Sequence, residues 1–124
     1  MAEFIKFKVS EELRDKQAEL LKKASKAGKI RKGINEVTKA IERGQAKLVL
    51  IAEDVVPPEI VMHIPLLCNE KKIAFTYMKS KKEIGEASGI EVGSSAVAIT
   101  EEGDWKKELD EVIKKVAELN KKGE

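Results

Sequence analysis

Residues Ala46–Ala52 read AKLVLIA, a nearly continuous apolar run of strand length. Side chains alternate across a strand, so such a run presents apolar groups on both faces. Both faces then need cover. Two further segments have strand character: IAFTYM, from Ile73 to Met78, and AVAIT, from Ala96 to Thr100. Between and around them lie segments with helical spacing of their apolar residues. Helix and strand alternate along the chain, which predicts an α/β sandwich with helices on both faces of a small central sheet.

The helical segments carry their own boundaries. Ser10 is an N-cap residue, and Glu11 and Glu12 follow it in the first turn, where the helix dipole favours anions. This first helix is expected to bury Leu13, Gln17 or Ala18, Leu20, Leu21 and Ala24. Ahead of it FIKFKV, from Phe4 to Val9, alternates as a short strand or extended entry. A second helix covers about Ile34 to Arg43 and stops at Gly44. After a turn over Glu53–Pro58, a third carries Ile60, Val61, Ile64, Leu67 and Cys68; Pro65 inside it is expected to kink or split it. Ser80 with Glu83 three residues on forms a capping box for a short helix ending near Gly89. Asp104 is the expected cap of a long last helix with the stripe Trp105, Leu109, Val112, Ile113, Val116 and Leu119. No repeat or linker interrupts this order, so residues 1–124 read as a single domain.

The 124 residues suffice for one modest core. Hydrophobic residues at 42% set the chain apart from disordered sequences, and aromatics at only 4% leave the core to aliphatic side chains. A net charge of +2 does not by itself point to nucleic acid. Its distribution is more informative, because six cations and no anion lie between Lys22 and Lys32. Such a patch attracts phosphate, and a solvated basic surface looks the same at this level. The lone Cys68 sits in the apolar run IPLLC and reads as a core residue of a protein kept in a reducing compartment. With no leader-like opening and no run long enough to cross a bilayer, the expected location is cytoplasmic, away from membranes.

Catalytic and metal-binding signatures are weak. His63, the only histidine, lies in VMHIPLL without a nearby ligand set, which favours a structural or partly exposed role. There is no CxxC, no GxSxG and no GxxxxGK[ST]. GIEVGSS, from Gly89 to Ser95, is glycine-rich but runs from helix to strand, the wrong order for a phosphate loop. It displays Ile90, Glu91 and Val92 at its tip, either as a contact surface or tucked back into the core. Asp54 ends a buried strand, as the phospho-acceptor of a receiver domain does. That chemistry needs a second acidic cluster, and the first link here, KIRKG, is basic. A turn or helix-capping role before Pro57 and Pro58 fits Asp54 better.

The segment KIRKGINEVTKAIERG, Lys29–Gly44, is more specific. At 100° per residue, Ile34, Val37 and Ile41 share one side of the helix, and Asn35, Glu36, Lys39 and Arg43 the other. Lys32 extends the polar face backwards. An amide, a carboxylate and cations at this spacing match the donors and acceptors on base edges. Gly33 and the helix N-terminus allow close approach to phosphate. An ordinary i,i+3 ion pair on a solvated helix accounts for the same pattern, and periodicity alone favours it.

KIRKGINEVTKAIERGQAKLVLIAEDVVPPEIVMHIPLLC, followed by SKKEIGEASGIEVGSSAVAI, resembles the archaeal ribosomal protein family L-seven-Ae, which binds kink-turn RNA. The resemblance is strong from about Lys29 to Ile99. It implies a three-layer α-β-α sandwich with a small mixed central sheet, no enzymatic activity, no cofactor and no metal. The implied partners are kink-turn or kink-loop RNAs with tandem sheared G·A pairs: ribosomal RNA, box C/D and H/ACA guide RNA, and ribonuclease P RNA. Other core proteins of those ribonucleoprotein particles join them. Carried over residue by residue, Asn35, Glu36 and Lys39 contact the guanines of the G·A pairs. Lys32, Gly33 and Arg43 approach the phosphate backbone, and Ile90, Glu91 and Val92 cover an extruded nucleotide. Two departures from the family pattern are Ile34, usually Thr, and Gly93–Ser95, usually small apolar residues. No leftover apolar stripe asks for a second copy, so the free chain is expected to be monomeric. The competing readings are a receiver-like phospho-acceptor centred on Asp54 and a protein-binding scaffold using the Ile90–Val92 loop.

Overall fold

The computed structural model describes residues 4–90 and 92–123, with side chains described as far as Lys121. Four strands, β1 (Lys29–Lys32), β2 (Leu48–Ala52), β3 (Ala74–Met78) and β4 (Ala96–Glu101), form one sheet in the order β1-β4-β2-β3. Strand β2 is parallel to β3 and antiparallel to β4, and β1 is antiparallel to β4. Strands β1, β2 and β3 therefore share one direction, and β4 opposes them.

Every residue of β2 is buried, as its apolar run requires. Cover comes from α1 (Glu11–Ala27), α2 (Ile34–Glu42), α3 (His63–Lys71), α4 (Lys81–Ala87) and α5 (Lys106–Gly123). Helix α2 packs with α3, whereas α1 packs with both α4 and α5. The result is the expected three-layer α-β-α sandwich around a mixed sheet. Its core is largely aliphatic, with Leu21, Ile41, Leu48, Leu50, Ile51, Ile64 and Ile99 fully enclosed. Cys68 is part of it, and burial pushes its thiol pKa up to about 12, so the sulfur stays protonated and inert.

Both predicted serine caps form. Ser10 Oγ accepts the Leu13 N–H at 3.1 Å, and Ser80 Oγ accepts the Glu83 N–H at 3.1 Å.

Three details differ from expectation. Of the two readings of Phe4–Val9, a short strand or an extended entry, the strand does not form. Phe4, Phe7 and Val9 are buried, and the Phe7 ring packs on Phe75 and Tyr77. The Tyr77 hydroxyl donates to the Phe4 carbonyl and accepts the Lys6 N–H, so a side chain satisfies this backbone instead of a ladder. The third helical segment is split, as foreseen, but the break falls before Pro65 and not at it. A 3₁₀ turn at Pro58–Ile60 precedes α3, and Pro65 falls in the first turn of α3, where a missing N–H costs no helical bond. Helix α5 begins one residue later than Asp104 would allow. The Trp105 carbonyl accepts the Leu109 N–H at 3.0 Å, which makes Trp105 the capping position.

Candidate nucleic-acid interface

Because β1, β2 and β3 run together, their C-terminal ends meet the N-terminal end of β4 at one edge of the sheet. Four connections gather there: the β1–α2 junction at Gly33, the turn after β2, the β3–α4 junction at Ser80, and the loop entering β4. This is the end of an open α/β sheet where ligands characteristically bind.

Helix α2 starts from this edge. Gly33 has φ 92° and ψ 155°, a conformation that side chains disfavour. A Cβ there would meet no protein atom within 4 Å, so the space beside this backbone is open. The Gly33 N–H donates to the Ala96 carbonyl at 3.0 Å. The buried Ser94 hydroxyl donates to the same carbonyl at 2.8 Å. One oxygen thus ties the start of α2 to the loop that enters β4.

Val37, Ala40 and Ile41 fix the inner face of α2 in the core. Asn35, Glu36, Lys39 and Arg43 are all exposed on the outer face, and so is Lys32 just before it. Asn35, Lys39 and Arg43 follow one another at four-residue steps, a stripe of about 12 Å along the helix. Among the described residues, none of Lys32, Glu36, Lys39 or Arg43 takes part in an ion pair. The i,i+3 pair that a purely solvated face would form between Glu36 and Lys39 is not made. Their charges remain available to an outside partner.

A bridge from α3 braces the helix. The Thr38 hydroxyl donates to the Ile34 carbonyl at 2.7 Å, and His63 Nε2 lies 2.9 Å from the same hydroxyl oxygen. With the single hydroxyl proton already committed, the imidazole N–H is the donor. His63 is therefore a structural contact between α2 and α3. Among the described residues, no group of three or more His, Cys, Asp or Glu side chains is placed to hold a metal ion.

Asp54 Oδ1 accepts the Lys81 N–H at 2.9 Å and so helps cap α4. Asp54 thus lies in the turn after β2, as expected, but the helix it caps is α4 and not the segment that begins near Pro57 and Pro58. Among the described residues no group of three or more acidic, His or Cys side chains accompanies it to support receiver chemistry.

The loop after α4 lies back against that helix. The Gly89 N–H donates to the Glu86 carbonyl at 3.2 Å, Ile90 N–H to Gly85 at 3.0 Å, and Ser94 N–H to Lys81 at 3.1 Å. Ile90 is half-buried, whereas Val92 is 71% exposed. Of the two outcomes foreseen for the tip, Ile90 partly tucks in and Val92 projects. Glu91 lies outside the described residues. Sequence reasoning did not find the roles of Ser94, Thr38 and Gly85. Only Gly85 left a signal, as a glycine inside a helical pattern.

The profile of the Ribosomal protein L7Ae/L30e/S12e/Gadd45 family matches residues 15–109. The chain belongs to this family. The matched span runs from α1 into α5 and contains all four strands, α2 and the loop entering β4. Among solved structures, the L7Ae-type fold of the chain is similar to the Giardia lamblia 15.5kD RNA binding protein. That match has a TM-score of 0.86 and 33% sequence identity, over 90% of this chain and 92% of the other.

Proposed function

We propose that this protein is a non-catalytic RNA-binding component of ribonucleoprotein particles that recognises and stabilises kink-turn and kink-loop RNA. The observation that carries the reading is the exposed, unpaired set Asn35, Glu36 and Lys39 on α2, joined through the Ala96 carbonyl to the loop bearing Ile90 and Val92. Family membership and similarity to a protein named for RNA binding support it.

In this reading Lys39 donates to guanine O6 and N7, Asn35 pairs with base-edge donors or acceptors, and Glu36 accepts from an amino group. Lys32, Arg43 and the open backbone at Gly33 meet phosphates, which supplies affinity and fixes register without reading sequence. Ile90, Glu91 and Val92 cover the extruded nucleotide. RNA of this kind exchanges between bent and extended forms, and a protein that fits only the bent form shifts the population by its differential affinity. The RNAs in question are ribosomal RNA, box C/D and H/ACA guide RNA and ribonuclease P RNA. The protein would act in the cytoplasm, as a monomer when free, beside other core proteins of those particles. Among the described residues no helix is long and apolar enough to cross a membrane.

The test is a pair of titrations at one salt concentration. One RNA carries an internal loop with tandem G·A pairs, and the other has those pairs replaced by Watson–Crick pairs. The protein should bind the first far more tightly. Equal affinities would leave only phosphate attraction and remove the reading.

A further inference from the structure

We infer that Gly85, a buried residue of α4, is the positioning residue that seats the loop bearing Ile90 and Val92. The inference rests on the RNA-binding reading above. Glycine inside a helix is unfavourable relative to alanine, so its presence in KKEIGEA needs a reason. The reason is space. A Cβ at Gly85 would lie 2.4 Å from the Val92 carbonyl oxygen, 3.1 Å from its carbonyl carbon and 3.2 Å from Gly93 Cα. The backbone of the tip occupies the place a side chain would take.

Neighbouring contacts complete the seat. The Gly85 carbonyl accepts the Ile90 N–H at 3.0 Å, and the Lys81 carbonyl accepts the Ser94 N–H at 3.1 Å. A Cβ at Gly93 would come within 3.1 Å of Lys81 Cβ. The helix is the fixed partner in this contact: Ser80 and Asp54 cap it, and Ile84 and Ala87 anchor it in the core. The backbone at Val92 and Gly93 is then the partner that has to shift. The tip presses its Val92 carbonyl onto bare helix while the Val92 side chain points outward, 71% exposed. Restoring ordinary contact, 3.4 Å or more in place of 2.4 Å, moves the tip by about 1 Å, enough to uncouple it from a nucleotide fitted beside α2.

Two measurements on Gly85→Ala test this. In the free protein, amide NMR signals of residues 89–95 should shift while those of α2 stay in place. Against kink-turn RNA, Gly85→Ala should bind about tenfold more weakly, the scale of losing coverage of one base. That loss should vanish when Ile90 and Val92 are already alanine, yet add to the loss from Lys39→Ala. Unmoved loop amides, undiminished affinity, or a loss that persists without the Ile90 and Val92 side chains would overturn the inference. Should Gly85→Ala fail to fold, Gly93→Ala carries the same test from the other side of the seat. If the parent protein does not discriminate kinked RNA, the function falls, while the amide shifts still judge the seat.

Discussion

Replacing Asn35 and Lys39 together by alanine is expected to weaken binding to a kink-turn RNA by on the order of 2–6 kcal/mol, since each side chain that reads a base edge is worth about 1–3 kcal/mol. Binding to a plain duplex should change much less. The contrast follows from geometry: both side chains are exposed and stand one helical turn apart on α2. Neither contributes to the core, so the double variant should unfold at the same denaturant concentration as the parent. Arg43→Ala provides the internal control. Removing a phosphate-binding cation lowers affinity for both RNAs alike and reduces the slope of log K against log salt by about one. Isothermal titration at several salt concentrations separates the two behaviours. Parallel weakening on both RNAs would show that Asn35 and Lys39 act without reading bases.

The second large effect is on stability and sits in the opposite helical layer. Gln17 is fully buried on α1, where Nε2 donates to the Tyr77 carbonyl at 2.9 Å and Oε1 accepts the Thr76 hydroxyl at 2.7 Å. Gln17→Leu keeps the bulk and leaves both partners facing apolar surroundings. Orphaned buried groups cost about 1–3 kcal/mol each, so urea unfolding should register a loss of about 3 kcal/mol. Adding Thr76→Val should recover part of it, because an apolar pair leaves fewer groups unsatisfied. RNA affinity of the folded molecules should be unchanged. A Gln17→Leu protein as stable as the parent would mean that this buried network contributes nothing net.

The features legible in the sequence are those set by local pattern. AKLVLIA alone required a doubly covered strand, and β2 is buried at every position. Ser10 and Ser80 announced their helices through hydrogen bonds made only three residues away. The division of α2 into an apolar and a polar side follows from 100° steps, and the exposed positions of Asn35, Glu36, Lys39 and Arg43 agree with it. Long-range backbone contacts leave no such trace. Nothing in GINEV or GSSA shows that Gly33 and Ser94 share the Ala96 carbonyl. FIKFKV suggested a short strand or extended entry because Ile5, Phe7 and Val9 alternate with lysines, but the buried residues are Phe4, Phe7 and Val9. The group that satisfies this backbone, the Tyr77 hydroxyl, comes from β3, 71 residues beyond Lys6 in the chain. Periodicity also left open whether Glu36 and Lys39 would pair with each other. They make no ion pair with each other in the structure, and that makes the base-reading role worth testing.

Selection of a bent RNA conformer is the central step of the proposed function. Moving a population from mostly extended to mostly bent requires roughly 10⁴-fold preference for the bent form, about 5.5 kcal/mol. The direct measurement is fluorescence energy transfer between dyes on the two ends of a kink-turn RNA, in a buffer where the free RNA is mostly extended. Adding the protein should raise transfer to a plateau at one protein per RNA, and the Asn35→Ala/Lys39→Ala variant should need far more protein to reach it. Saturable binding that leaves the transfer efficiency at its free-RNA value would contradict the account.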